Sequence, residues 1–163
     1  MKLFGSLENR LEEGQQFVKE IKVGDGVTEY LYSDCKPYEV TDVLDQKHIF
    51  IRSMNAKRTD GEGMSDCQSY EYSSDKNAPK IELVNRNGVW YEVKEYSKAI
   101  WLELAKRDIK GFKDIEIAYK YFKMMSGLTI KQQEKVEQGK IVKKYSKMNI
   151  SIGVMKKYFD YSF

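Results

Sequence analysis

The stretch Lys80 to Lys94, KIELVNRNGVWYEVK, restricts the fold more than any other part of the chain. Two runs rich in β-formers meet at Asn87-Gly88, a pair that accepts positive φ at both central positions of a tight turn. The stretch therefore reads as an antiparallel hairpin. The same texture runs upstream. Val27 to Tyr32 alternates Val27, Glu29 and Leu31 against Thr28, Tyr30 and Tyr32. Pro37 holds its predecessor extended, and Tyr38 to Val43 is β-prone. Leu44-Asp45-Gln46 turns the chain into His48 to Met54, where Ile49, Phe50 and Ile51 suit a pleated surface. Asn55 to Asp66, with two glycines and several turn formers, reads as a loop, and Gln68 to Ser73 alternates again. Residues 6–20 read as a short helix interrupted by Gly14.

At Ser97 the period changes. Ile100, Trp101, Leu104 and Ala105 fall at helical spacing. So do Ile115, Ala118, Tyr119, Phe122 and Met125, with Asp114 placed to cap the helix and Ser126-Gly127 to stop it. Thr129-Ile130-Lys131-Gln132 has the form of a capping box opening a third helix, which weakens at Gly139 and extends or restarts through Tyr145. Ile150, Ile152 and Val154 alternate with Ser151, Gly153 and Met155 as a final strand, and the aromatic tail YFDYSF is expected to dock on the core. The expected fold is α+β: a small SH3-like or similar bent antiparallel β-barrel with a helical insertion before the last strand. Residues 1–96 and 149–163 would form the barrel, and residues 97–148 the insertion.

A chain of 163 residues suits this single domain with a sizeable insertion. Its net charge of +3 hides a division. Residues 1–96 hold 13 basic and 18 acidic side chains, a balance of −5, whereas residues 97–163 hold 15 and 7, a balance of +8. Such asymmetry between halves points to nucleic-acid contact or to a basic surface patch. No apolar run reaches the roughly 18 residues of a membrane span, and MKLFGSLENRLEE lacks the apolar core of a secretory signal. Cys35 and Cys67 stand alone, far apart and outside any metal or redox spacing, and read as reduced thiols. The expectation is a cytoplasmic protein without membrane contact.

The residue types of catalysis are sparse. His48 is the only histidine and sits in an apolar strand run, so a Ser-His or Cys-His pair would depend on it alone. The loop from Asp60 through Glu62 to Asp66 superficially resembles a calcium loop but lacks the alternate ligands and the closing Glu. Neither a GxGxxG nor a GxxxxGK[ST] sequence is present to cradle phosphate. No enzyme, metal or cofactor is therefore expected. Binding is. Lys131, Lys135, Lys140, Lys143, Lys144, Lys147, Lys156 and Lys157 face only Glu134 and Glu137 within residues 131–157. Tyr121 and Tyr145 interleave with them, while Tyr119 and Phe122 fit the core stripe. Positive charge tracks phosphates and aromatic faces stack on bases, so this set suits nucleic acid. The first half offers Tyr30, Tyr32, Tyr38, Tyr70, Tyr72, Trp90 and Tyr91, a supply of rigid amphipathic contacts on strands.

Tyr32-Ser33-Asp34, Pro37-Tyr38, Asp45, Lys47, Ala56-Lys57-Arg58, Met64 and Tyr70-Glu71-Tyr72 form a pattern with the ending Ile152-Gly153-Val154, Tyr158, Asp160 and Phe163. This pattern resembles small phage-encoded proteins of uncharacterised function from phages and prophages of Gram-positive bacteria. The match spans residues 22–94 and 149–163, and residues 97–148 depart from the commoner short form. The resemblance implies an accessory protein that binds a host protein or a protein–nucleic acid complex in the cytoplasm of an infected or lysogenic cell, as inhibitors of CRISPR nucleases do. Within it, the acidic half would stand in for phosphates and the basic insertion would hold guide RNA, DNA or an acidic patch. The alternative is a direct DNA- or RNA-binding module. The candidate contacts are Lys131, Lys135, Lys140, Lys143, Lys144, Lys147, Tyr121 and Tyr145, joined by Lys57 and Arg58 of the pattern.

Overall fold

The structure, a computed structural model, describes residues 20–61, 63–64 and 67–160. The helix expected over residues 6–20, most of the acidic loop's ligand candidates and the last three residues lie outside the described part. The fold is α+β. The described residues form eight strands: β1 (Gly26–Tyr30), β2 (Cys35–Asp45), β3 (His48–Arg58), β4 (Tyr70–Ser74), β5 (Lys80–Arg86), β6 (Val89–Tyr96), β7 (Val142–Lys147) and β8 (Ile150–Ile152). Between β6 and β7 lie helices α1 (Lys98–Arg107), α2 (Ile115–Met125) and α3 (Ile130–Glu137), with a single 3₁₀ turn over Ile109–Gly111. The hydrogen-bonded order is β7-β6-β5-β3-β2-β1-β8, and β4 pairs with the far end of β3. The chain divides into two units, residues 1–92 with 147–163, and residues 93–146.

In the first unit, period-two alternation sorts the side chains. Ile49 and Ile51 of β3 point inward with Leu83, Val27, Tyr38 and Val40, and form the core with Ile21 and Met148. His48, Phe50 and Arg52 take the opposite face. A bulge near Thr41 lets Val43 rejoin Ile49 on the buried side after Asp42 has paired with Phe50 outside. Asn87 (φ 54°) and Gly88 (φ 81°) both adopt the left-handed region, the backbone of the expected hairpin turn between β5 and β6.

The sheet is not a closed barrel, which corrects the expected closure. Its path has two ends, and the chain steps from one toward the other. The Met148 amide donates to the Trp90 carbonyl (3.0 Å), while the next residue, Asn149, accepts from the Tyr30 amide (2.8 Å). Two adjacent residues thus bridge β6 and β1 without a ladder between them.

Two further expectations change. Asn55 to Arg58 are strand, not loop, because Tyr70 to Ser74 pair with them in register from Met54↔Ser74 to Arg58↔Tyr70. Residues 142–147 are strand, not helix: Gly139 (φ 84°) ends the helical path, and Val142 turns into the second unit's core. That core holds Trp101, Leu128, Val136 and Val142, with Tyr96, Tyr119 and Phe122 packed against it. The helix starts follow the sequence. Ser97 accepts from the Ile100 amide, Asp114 from that of Ile117, and Thr129 with Gln132 forms a reciprocal capping box.

Of the aromatic tail, residues 158–160 are held to the sheet by hydrogen bonds, and Phe159 is 42% exposed instead of packed on the core as its composition predicts. Thr28 Oγ1 donates to the Val154 carbonyl (2.7 Å), the Lys157 amide donates to the Tyr72 hydroxyl, and Tyr158 bridges Cys35. Gln68 acts as a strand edge in miniature: its amide oxygen accepts from the Phe159 amide and its amide nitrogen donates to the Phe159 carbonyl. Tyr70 steadies that oxygen through its hydroxyl, and Asp34 accepts from the Asp160 amide. Asp34, Tyr70, Tyr72, Tyr158 and Asp160, all part of the pattern that carries the resemblance, therefore meet around the tail.

Candidate nucleic-acid and partner interface

The candidate lysines 131–147 fall into three groups, with Lys147 counted in the first unit. Lys131 and Lys135 lie one turn apart on α3, and the Lys140 amide donates to the Lys135 carbonyl (3.0 Å), which brings Lys140 beside the helix end. All three are exposed. No carboxylate partner is recorded for any of them among the described residues, so this run carries uncompensated charge. A second group sits on β7, where Val142 is buried and Lys143, Tyr145 and Lys147 are exposed at alternate positions. Lys143 is paired with Glu95 at 2.9 Å. The third is Lys144 alone, half-buried, with Nζ donating to the Ser126 carbonyl at the end of α2 (3.2 Å). A cation at a helix C-terminus satisfies an orphan carbonyl and the dipole together, so Lys144 serves the fold.

Tyr121 is exposed on α2, its ring 5.1 Å from Phe112 and 5.4 Å from Phe122 between centroids. Lys57 and Arg58 belong to the first unit. Lys57 is exposed and stands opposite Glu71 across the β3–β4 ladder. Arg58 is turned inward: its Nε lies 2.9 and 2.8 Å from the two Asp60 oxygens, and its Nη1 reaches the Gly63 carbonyl. Asp60 also accepts from the Ser69 amide (2.8 Å), so Arg58 closes the connection between β3 and β4.

The carboxylates of the acidic half are largely engaged in the sheet. Glu39 accepts from Arg52 (2.7 Å) and Ser74 (2.8 Å); burial alone would raise its carboxyl, but these two donors outweigh it and hold it below the usual range. Lys80 beside Asp42 (2.7 Å) lowers that carboxyl too. Glu82 Oε1 lies 2.8 Å from His48 Nε2, and Glu29 accepts from the buried Tyr38 hydroxyl. These carboxylates are engaged by cations and hydroxyls of the sheet, while the net −5 of residues 1–96 stands. Cys35 is a free thiol, and burial pushes it up. Among the described residues no group of three or more His, Cys, Asp or Glu side chains is placed to hold a metal, and no helix is long and apolar enough to cross a membrane.

Sequence reasoning missed one hub and one surface. Glu137 accepts from Lys123 (2.8 Å) and from the Tyr119 hydroxyl (3.1 Å), with Lys98 at 3.9 Å, beside an open cleft of 470 Å³ lined also by Ile130, Gln133 and Gln138. Lys123 and then Tyr119 hold its carboxyl below the usual range, while burial and the Glu137 bond push the Tyr119 phenol up to about 12. The surface is the outer side of α2. Ile115 and Met125, assigned by spacing to the buried stripe, are 39% and 61% exposed. Apolar residues cover more than half the circumference of α2, and only the Ala118, Tyr119 and Phe122 side meets the core. That excess width was the available signal. No protein-family model, curated protein or solved structure matches the chain.

Proposed function

We propose that the chain is a non-enzymatic, phage-type binding protein that inhibits or modulates a host defence complex of protein and nucleic acid, as CRISPR inhibitors do. The observation that carries this reading is the exposed and uncompensated run Lys131, Lys135 and Lys140. Each lysine left without a carboxylate can displace a counterion from a phosphate, whereas Glu39, Asp42 and Asp60 of the first unit each hold a cation. The lysine run, more than the acidic sheet, is the contact surface for the nucleic acid of such a complex. The resemblance to small phage proteins supplies the setting, a cytoplasmic host. We read the sheet as a bent, SH3-like scaffold that carries the helical unit.

A second reading, direct DNA or RNA binding, is favoured by Lys143 and Tyr145, which share the exposed side of β7 and join charge to a stacking ring. Fluorescence anisotropy on labelled single-stranded DNA, duplex DNA and RNA at rising salt separates the two. An inhibitor of a protein complex binds the free strands weakly at every salt concentration. A direct binder grips them at low salt, and Lys143→Glu flattens the log–log salt slope by about 1 while Tyr145→Ala weakens binding at every salt concentration.

A further inference from the structure

The second unit carries a feature that phosphate contact does not use. Ile117, Tyr121, Met124 and Met125 occur at i, i+4, i+7 and i+8 on α2 and line one side of it. Met124 and Met125 are 67% and 61% exposed, and Ile117 and Tyr121 more than two-fifths. From Ile117 to Met125 the helix rises about 12 Å, so this is an apolar ridge of just over two turns. It is preorganised: Phe112 braces Tyr121 from the side, and Ala118 and Phe122 hold the helix to the core. Methionine at an open surface adapts to a partner's shape, as flexible thioethers do.

The charge around the ridge has one sign. Its acids are spent, since Asp114 caps α2, Glu116 pairs with Lys120 (3.0 Å) and Asp108 with Arg107 (3.1 Å). Lys110 and Lys113, near Phe112 in the chain, are exposed and have no carboxylate partner among the described residues. A second copy would set these lysines against their own kind. An apolar ridge with a positive border instead fits an amphipathic helix that is apolar on one side and acidic on its flank. We propose that the outer face of α2 docks such an acidic amphipathic helix from a protein partner, with Ile117, Tyr121, Met124 and Met125 as the apolar seam and Lys110 and Lys113 selecting for acid. The proposal goes beyond the lysine run of α3, which it does not use.

The test uses the full chain labelled at methionine methyl carbons, and two short synthetic amphipathic helices with the same leucine face, one flanked by Glu and one by Lys. The expected result is that the Glu helix shifts the Met124 and Met125 methyl signals and binds at least about tenfold more tightly than the Lys helix. M124E should abolish the shift with an unchanged melting temperature, because the side chain is exposed. K110E with K113E should invert the preference. K131E/K135E/K140E should leave binding of the Glu helix unaltered, which separates failure here from failure of the nucleic-acid reading. Equal affinity for the two helices overturns the proposal. So do unmoved Met124 and Met125 signals, shifts on simple concentration of the protein, or shifts with phosphatidylglycerol vesicles in place of the helix.

Discussion

At Gly26 the tail crosses the first strand without room for a side chain. A Cβ built there would lie 2.9 Å from the Met155 Cβ and 3.0 Å from its backbone nitrogen, so neither neighbour can yield by rotating a flexible end. Gly26→Ala should therefore destabilise the first unit by about 1–3 kcal/mol in urea denaturation, the range of an overpacked contact. Hydrogen exchange should quicken at the Tyr158 amide, which donates to Cys35 across the tail. A change confined to the strand interior, with the tail unaffected, would count against this crossing as the restraint. The second unit has its own residue-scale signature in Tyr119 and Glu137. Glu137 has a depressed carboxyl, so its contribution to stability is present above the ordinary carboxylate range and is lost as pH falls through the folded value. The phenol of Tyr119 is raised from 10.0 to about 12, so its contribution is complete below pH 10 and lost between there and about pH 12. Thermal melts across pH should fall at both limits. Glu137→Gln should be less stable at neutral pH, shallower through the acid limb where Glu39 and Asp42 still titrate, and narrower in its alkaline loss, because the bond to Tyr119 no longer opposes ionisation.

At the scale of elements, what the sequence reveals depends on whether a segment's own residues decide its state. Asn87-Gly88 decides locally, since only such residues take positive φ twice in succession. Gly88→Val should lower the urea midpoint with an unchanged m-value, by about 1–2 kcal/mol, the cost of holding a β-branched residue in the left-handed region. An unaltered midpoint would mean that the strands impose the turn. The caps Ser97, Asp114 and Thr129 are equally local, and each opens the helix that its sequence announces. By contrast, Val142 to Lys147 carries lysine at 143, 144 and 147 and looks like the continuation of a basic helix. Its strand state comes from Val142 entering the Trp101 core and from Lys144 reaching Ser126, neither of which is visible in a local window. Asn55 to Arg58 likewise become strand through the distant Tyr70 to Ser74. The candidate site was legible as a list of lysines. Their division into the free run of Lys131, Lys135 and Lys140, the paired Lys143 and the helix-capping Lys144 required the fold.

For the molecule as a whole, near-neutral charge is the sum of two different economies. The first half carries more acids than bases, yet Glu39, Asp42, Asp60 and Glu82 each face a basic partner within 3 Å. Residues 93–146 hold 13 basic and 7 acidic side chains, and the unbalanced lysines cluster on α3 and beside Phe112. The unpaired lysines project their field into solvent within a Debye length of about 10 Å at 0.1 M salt. The central claim is that Lys131, Lys135 and Lys140 engage the nucleic acid of a host defence complex. The direct measurement is target cleavage by a panel of guide-loaded CRISPR nucleases, titrated with the wild-type chain and with K131E/K135E/K140E at matched melting temperature. The account predicts that the wild type suppresses cleavage by at least one nuclease near equimolar ratio and that the triple variant needs at least about tenfold more protein. Inhibition unchanged by the three reversals, or none by the wild type against any member of the panel, would contradict it.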